Sequence, residues 1–415
     1  MVLQLLKLAS TSALYLFLHG VNRQIPDNET LALLGLNSEP TRLVSLDELQ
    51  HLRPGAPIES MHLAVITPDS VIHQEAIRLE AFQGLDLLEN VKTIYNVWNP
   101  SIERWGGKYF VSSRVVLGDT LMFGWINETV NGEVDEKFCE FEYLGIGPGL
   151  THLPFERNFS TNVGDARFLV LGSSTILVTF TATPVPHHPS RVGVLVLQVN
   201  KSKIDLMDEY LLDPSWQRDA EKNYHKNWAP FIYNGSEVLW AESLDPLVVV
   251  SVKEGDHNLW RKTEIVSTSK QHNHWSQWGS MRGGTPGKKI SKSRYLFFFH
   301  SRKILPNNLR TTYFFGAFLC SAHPPFAMTH ISRSPIFLPE LYDGPWDAIK
   351  FFDYALYPMS FFFSNSTIEE MLPTIDCDHQ CLFRHNVTLV LGWQDRSSVL
   401  SKVNLGKLFS TMVKL

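Results

Sequence analysis

The chain has 415 residues, long enough for a large core and, by length alone, for more than one domain. Hydrophobic residues make up 44% and aromatics 12%, with 26 Phe and 11 Trp, a composition that suits densely packed sheets. The formal net charge is −5, and charges of both signs are mixed along the chain without a Lys/Arg stripe, which argues against a nucleic-acid partner.

The N-terminus carries one basic residue, Lys7, followed by the apolar run LASTSALYLFLHGV at residues 8–21. This run is short for a membrane span and fits the apolar region of a signal peptide. Residues 1–21 are therefore expected to be a signal peptide or a short membrane signal-anchor, with a buried first helix as the structural alternative. Asn28, Asn127, Asn158, Asn200, Asn234, Asn365 and Asn386 each head an Asn-x-Ser/Thr triplet without a middle Pro. Chance would place roughly three such triplets among this many asparagines, and the excess points to the secretory pathway, secreted or in the Golgi or ER lumen. The four cysteines, Cys139, Cys320, Cys377 and Cys381, are too few for a disulfide scaffold and allow one or two bridges of unassigned pairing. Cys377 and Cys381 flank Asp378, His379 and Gln380, but the second Cys/His pair of a metal site is missing, so no metal is expected.

Residues 22–90 read as an N-terminal arm packed on the domain that begins near residue 91. Within the arm, residues 73–91 (HQEAIRLEAFQGLDLLENV) carry apolar residues near helical spacing. From about residue 91 onward a strand–turn–strand unit recurs five times, opening at Asn99, Asp165, Asn227, Gly283 and Tyr357, with starts 66, 62, 56 and 74 residues apart. A period of this size means one supersecondary unit per repeat, unable to bury its faces alone. Short strands with Gly/Asn/Ser turns make the unit a propeller blade. The expected fold is all-β, a five-bladed β-propeller over residues 91–415 with a short N-terminal arm. The first strand of each blade would line a central channel, so motifs distant in sequence would converge there. Residues 184–191, 268–284 and 363–380 are candidate rim loops, rich in turn residues, Trp or His.

The repeat openings hold the candidate chemistry. Gly164-Asp165-Ala166-Arg167 places a carboxylate at the channel end of an apolar strand, where it could act as a general acid. Arg167, two residues on, shares its strand face and could hold or orient that charge; a structural Asp–Arg pair is the plainer reading. Asn99-Pro100-Ser101 offers hydrogen bonds to ligand hydroxyls, or turn chemistry, ahead of a strand that ends at Arg114. Lys226-Asn227-Trp228 offers a cation and an aromatic face on which a pyranose could stack; a core Trp beside a solvated Lys is the alternative. Gly283-Gly284-Thr285-Pro286 permits a close backbone approach near a ligand, and the strand after it ends at His300.

In this order the motifs resemble the β-mannoside phosphorylase family, glycoside hydrolase family 130, and the related mannosyltransferase/phosphorylases. The family has an Asn-Pro motif before a strand ending in Arg, matched here by Asn99-Pro100 and Arg114. Asp165 and Arg167 match the Asp and Arg of its Glu-Asp-Pro-Arg motif, and Lys226 matches the lysine that opens its third blade. Gly283 to Pro286 and Phe299-His300 match its Gly-Gly-Thr-Pro stretch and the strand after that stretch. Tyr313, Gly316, Ala317, Leu319, Pro325 and Ser334-Pro335-Ile336 continue the pattern, over roughly residues 95–400. The resemblance implies a five-bladed propeller in which Asp165 is the proton donor, acting through a hydroxyl of the mannosyl unit, while phosphate attacks the anomeric carbon with inversion. Two departures matter. Gly164 and Ala166 replace the family's Glu and Pro around Asp165. Leu244-Asp245-Pro246 replaces a His-Arg pair that helps bind phosphate, and a carboxylate there repels an anion. Asp245 or Glu242 could instead activate water or an acceptor hydroxyl, as inversion requires.

The expected function is therefore a carbohydrate-active enzyme on β-mannosides or similar glycosides, by inverting hydrolysis or glycosyl transfer. Asp165 and Asp245 are the candidate catalytic carboxylates. Asn99, Arg114, Arg167, Lys226, Asn227, Trp228, Thr285 and His300 are the candidate substrate-binding residues. An oligosaccharide or glycan is the expected partner, and no cofactor is implied. A non-catalytic glycan-binding propeller and a membrane-anchored secretory-pathway glycosyltransferase are the alternatives.

Overall fold

The computed structural model describes residues 4–8, 14–18, 21–25, 41–44, 53–54, 89–95, 98–105, 108–115, 120–127, 161–184, 190–200, 203–213, 226–253, 260–270, 272–304, 311–336, 352–354, 356–363, 366–375, 379–393 and 397–415. From Glu89 onward these residues build a five-bladed β-propeller. Blade 1 comprises Trp98–Trp105, Lys108–Val115 and Thr120–Asn127. Blade 2 comprises Thr161–Leu171, Thr175–Pro184, Arg191–Asn200 and Lys203–Asp213. Blade 3 comprises Ala229–Tyr233, Glu237–Leu244, Leu247–Val252 and Trp260–Thr268. In blade 4 the innermost position is shared by two short strands, Ser280–Gly283 and Lys288–Ser291, followed by Arg294–Ile304, Thr311–Ser321 and Met328–Ser332. Blade 5 comprises Leu356–Phe363, Asn386–Trp393 and Ser397–Asn404.

The ring is clasped by strand exchange at its ends. Glu89–Tyr95, which precedes blade 1 in the chain, is the outermost strand of blade 5 and runs antiparallel to Ser397–Asn404. The last strand, Met412–Lys414, extends the edge of blade 4 beside Met328–Ser332. The outermost strands of blades 2 and 3 also pair, in parallel, through Leu211–Asp213 and Trp260–Lys262, so these blades form one continuous eight-stranded sheet. Arg261 reinforces this join, bonding Asp208 at 2.6 Å while its guanidinium lies over the Tyr210 ring at 3.8 Å.

Each blade is sandwiched between two others, so its strands need apolar residues on both faces. The strand Arg294–Ile304 shows the alternation. Leu296 and Phe298 face the cluster shared with blade 5, while Tyr295, Phe297 and Phe299 face the one shared with blade 3. Five apolar clusters result, one per blade interface. Phe110, Phe123 and Phe168 pack between blades 1 and 2. Trp228, Trp240 and Leu177 pack between blades 2 and 3, and Tyr109 and Phe362 meet between blades 1 and 5. The tryptophans of the expected rim loop at 268–284 serve this core. Trp275 and Trp278 are buried against Phe299 and Phe314, and the Trp275 indole N–H donates to Ser301 Oγ at 2.9 Å.

The stretch expected to be a targeting segment forms the strands Gln4–Leu8 and Leu14–Leu18. With Val21–Ile25, Thr41–Val44 and Arg53–Pro54 they make a separate five-stranded sheet. The helical spacing at residues 73–91 falls largely outside the described residues. Among the described residues no helix is long and apolar enough to cross a membrane, and no group of three His, Cys, Asp or Glu could hold a metal ion.

One polar cluster is buried between blades. Lys288 of blade 4 bonds Glu103 of blade 1 and Glu369 of the helix Ser366–Met371, each at 2.5 Å. Burial raises the Glu103 pKa from its ordinary 4.5 to about 7; Glu369 adds to the rise and Lys288 opposes it. For Lys288 burial works against the charge, but the two carboxylates outweigh it and hold its pKa above the ordinary lysine value. A carboxyl with a raised folded pKa binds its proton more tightly in the folded chain. The stability Glu103 contributes is therefore greatest at acid pH and is lost as pH climbs from about 4.5 through about 7. Urea midpoints should fall across that window, and Glu103→Gln should flatten the fall while Glu369 keeps Lys288 paired; equal slopes in both proteins would rule this out.

Candidate functional site

The opening residues of the innermost strands meet at one end of the channel. Asn99, Asp165 and Asn227 occupy the same position in blades 1, 2 and 3, and all three adopt left-handed backbone, with φ of 45°, 55° and 63°. Asn and Asp tolerate this region better than other side-chain-bearing residues. In blades 1 and 2 the conformation accompanies a bulge, between Trp98 and Ser101 and between Gly164 and Arg167. A bulge turns a side chain away from the ladder, here at the mouth of the channel.

The side chains then join blade to blade. The Asn99 amide Nδ2 donates to Asp165 Oδ1 at 3.2 Å. Arg167, only 2% exposed, reaches across three blades. Its Nη1 donates to the Asp165 carbonyl at 2.7 Å, and its Nη2 to Asn227 Oδ1 at 3.1 Å and the Gly283 carbonyl at 3.5 Å. Its Nε donates to the Gly284 carbonyl. Burial lowers the Arg167 pKa to about 10, opposed by the charge of Asp165. The group stays charged at neutral pH, and its donors are spent on the protein.

The two glycines make room for this. A Cβ on Gly283 would lie 1.9 Å from the Asn227 carbonyl oxygen, and one on Gly284 would lie 2.5 Å from the Phe298 carbonyl oxygen and 2.8 Å from Pro358 Cγ. Gly283 thus approaches blade 3, and Gly284 approaches blade 4's own second strand and Pro358 of blade 5. Blade 5 closes the circle, since a Cβ on Gly392 would lie 2.6 Å from Asn99 Oδ1 and against the Tyr357 ring.

His300 faces this arrangement from blade 4. It is 4% exposed, and burial first, then the charges of Arg167, Arg282 and Lys226, drives its pKa well below the ordinary imidazole value. The ring is neutral at physiological pH, and its Nδ1 has no hydrogen-bond partner among the described residues. The rings of His300, Tyr313 and Tyr357 form a triangle with centroids 5.8, 6.0 and 6.1 Å apart. Half-buried Arg282 lies in the field of Tyr313 and Arg302, with burial lowering its pKa. The site thus presents a half-buried carboxylate, neutral hydrogen-bonding rings and a wall of cations.

Sequence reading and structure part company at four residues. Trp228 offers no stacking face, being 2% exposed in the apolar cluster between blades 2 and 3, because the residue after Asn227 points into that interface. Thr285 is buried in the blade 4 ladder, where its Oγ1 accepts from Phe298 N at 3.1 Å and its own amide donates to Phe298 O at 2.9 Å. Asp245 sits at the hairpin turn between Leu244 and Leu247, and its two carboxylate oxygens accept the amides of His272 and Asn273 at 2.7 and 2.9 Å. Its two oxygens thereby hold the neighbouring loop. Arg167 orders the site from within instead of reaching for substrate. Asn99, Asp165, Lys226, Asn227 and His300 do come together. The Arg114 backbone pairs with Trp98 beside them, but its side chain lies outside the described residues. Arg282, Tyr313 and Tyr357 join them, and the repeat phase that marks Asn99 and Asp165 also marks Tyr357.

No protein-family model matches the chain, and no curated protein matches it. Among solved structures the chain is similar to a glycosyl hydrolase from Bacteroides ovatus, at 13% identity, 74% of this chain and 84% of that one, with a TM-score of 0.46. A second likeness, at 13% identity, 75% and 84% coverage and a TM-score of 0.46, is to a structure from the glycoside hydrolase family 130 of mannoside phosphorylases, described as containing glycoside hydrolases that target β-1,2 mannosidic linkages in Candida mannan. A third is to a mannose phosphorylase from Leishmania mexicana in complex with phosphate ion, at 9% identity, 80% and 89% coverage and a TM-score of 0.41.

Arg167 is the test of how the site is held. Arg167→Lys keeps a charge but cannot reach carbonyls on three blades, and hydrogen bonds to a charged group are worth about 1.5–3 kcal/mol each. The variant should lose at least about 3 kcal/mol in urea unfolding; a loss below about 1 kcal/mol would show that the blades do not depend on it.

Proposed function

We propose that this protein is a carbohydrate-active enzyme on β-mannosides or similar glycosides, with Asp165 as proton donor. The observation that carries the reading is the network of Asn99, Arg167, Asn227 and the Gly283 and Gly284 carbonyls built around Asp165 at the channel mouth. Asn99 of blade 1 holds one of its carboxylate oxygens at 3.2 Å, and Arg167, two residues on in the same strand, holds its backbone carbonyl while tying into Asn227 of blade 3. A general acid must be positioned first and tuned second, and this framework positions it. Neutral His300 and the tyrosines Tyr313 and Tyr357 suit hydroxyl-rich ligands, because they donate or accept without carrying charge.

Two nucleophiles remain in play. Inverting hydrolysis or transfer needs a base to activate water or an acceptor hydroxyl across the ring from the acid. Phosphate needs no such base, but it needs cations. Lys226 and Arg282 beside His300 supply cationic charge, while the Asp245 carboxylate is engaged with the 272–273 amides. The cations support an anionic nucleophile, whereas the Leu244-Asp245-Pro246 replacement of the phosphate-binding pair counts against one.

The test is mass spectrometry of β-linked manno-oligosaccharides incubated with the purified protein, with and without phosphate, beside Asp165→Asn. Turnover should fall by about 10²–10⁴-fold in the variant, the usual worth of a general acid. Free mannose without phosphate identifies a hydrolase, longer oligosaccharides a transferase, and mannose 1-phosphate a phosphorylase. Binding without turnover, unchanged in Asp165→Asn, would replace the enzyme with a glycan-binding propeller.

A further inference from the structure

The turn that links the first two strands of blade 3 reads Asn234-Gly235-Ser236. Asn234 and Gly235 are both left-handed, with φ of 48° and 82°. This is the tight hairpin geometry that Asn-Gly favours. The Ser236 amide donates to the Tyr233 carbonyl at 3.3 Å, and residues 234–237 are all exposed. The strand enters at the channel mouth beside Asn227 and leaves at Tyr233, so the turn stands on the opposite rim, away from Asp165.

From this geometry we infer that Asn234 is an N-glycosylation site and that the chain is made in the secretory pathway. The triplet Asn234-Gly235-Ser236 satisfies the acceptor pattern. A bulky solvated glycan can stand only where the folded chain leaves the asparagine in water, and this turn does so. Asn386 is the other triplet head whose side chain is described, and it makes the contrast. It is half-buried, and its Oδ1 accepts from Asn404 Nδ2 at 2.9 Å inside blade 5. An independent observation agrees on the compartment. Cys381 is disulfide-bonded while Cys320 is a buried free thiol, so the partner of Cys381 lies outside the described residues. Such bonds persist in oxidising compartments.

The step joins Asn234 Nδ2 to the anomeric carbon of an oligosaccharide delivered on a polyisoprenyl diphosphate. The bond from that carbon to the diphosphate oxygen breaks, the lipid diphosphate leaves, and Nδ2 gives up one proton; the host oligosaccharyl transferase supplies the catalysis. The inference is independent of the proposed reaction, so its failure leaves Asp165 untouched.

The full chain, expressed in a eukaryotic cell, would be digested after enzymatic deglycosylation in ¹⁸O-water. The peptide holding Asn234 should return as ¹⁸O-labelled aspartate. Asn234→Asp, which tolerates left-handed backbone, and Ser236→Ala, which removes only the acceptor hydroxyl, should each lose one glycan and keep the wild-type melting curve. An Asn234 peptide recovered unmodified, or a chain retained in the cytosol without glycan, overturns the inference.

Discussion

A single buried guanidinium organises the mouth of this propeller. Arg167 is withdrawn from water and remains charged, so its donors need acceptors inside the protein. The acceptors come from three blades: the Asp165 carbonyl, the Asn227 side chain, and the Gly283 and Gly284 carbonyls. Much of the local sequence reflects that demand. Left-handed backbone at Asp165 accompanies a carbonyl turned toward the guanidinium, and Asp can adopt that conformation at small cost. Glycines stand at 283 and 284 because side chains there would collide with blade 3 or with blade 4's own second strand. The same contacts hold Asp165 against Asn99, so the constraint that joins the blades also places the carboxylate.

Apolar packing sets the frame in which that constraint operates. Every blade feeds two interblade clusters through the alternating faces of its strands, and the ring is complete only when the fifth interface, between blades 5 and 1, is made. Glu89–Tyr95 secures that closure, since it anchors the start of the chain's propeller in its last blade. A ring closed at its rim by ladder hydrogen bonds and at its interfaces by Phe and Trp leaves its polar groups in the middle. Those groups must then satisfy one another. Asn99 with Asp165, Arg167 with Asn227, and Lys288 with Glu103 and Glu369 are the result.

The repeat of strand and turn made the fold legible from sequence, because a propeller repeats the same physical problem five times. The openings Asn99, Asp165 and Asn227 were legible for the same reason: each breaks an apolar strand at the same phase. The burial of neighbours was not. Trp228 and Thr285 sit one and three residues from the polar site residues Asn227 and Arg282, and only the local strand direction decides which side chain points to the channel. Asp245 stands where the resemblance has a cationic pair, and its carboxylate accepts two loop amides that no linear pattern reveals. Lys288, Glu103 and Glu369 are separated by 185 and 81 residues, and each alone reads as a solvated charge. Only ring closure brings them together.

The arrangement around His300 bears on the reaction proposed. A histidine among Arg167, Arg282 and Lys226 could be cationic only at a large cost, so burial and those charges keep it neutral. A neutral ring adds no further charge beside those cations, and the Asp165 carboxylate in the same mouth accepts from Asn99. An anion arriving there would meet favourable charge without displacing Asp165 from its hydrogen bond. Asp245, at the blade 3 hairpin, holds the loop amides of His272 and Asn273 with its two oxygens. On the proposed reading, the chemistry therefore depends less on which residues occupy the family motifs than on which of them the propeller has already used to hold itself together.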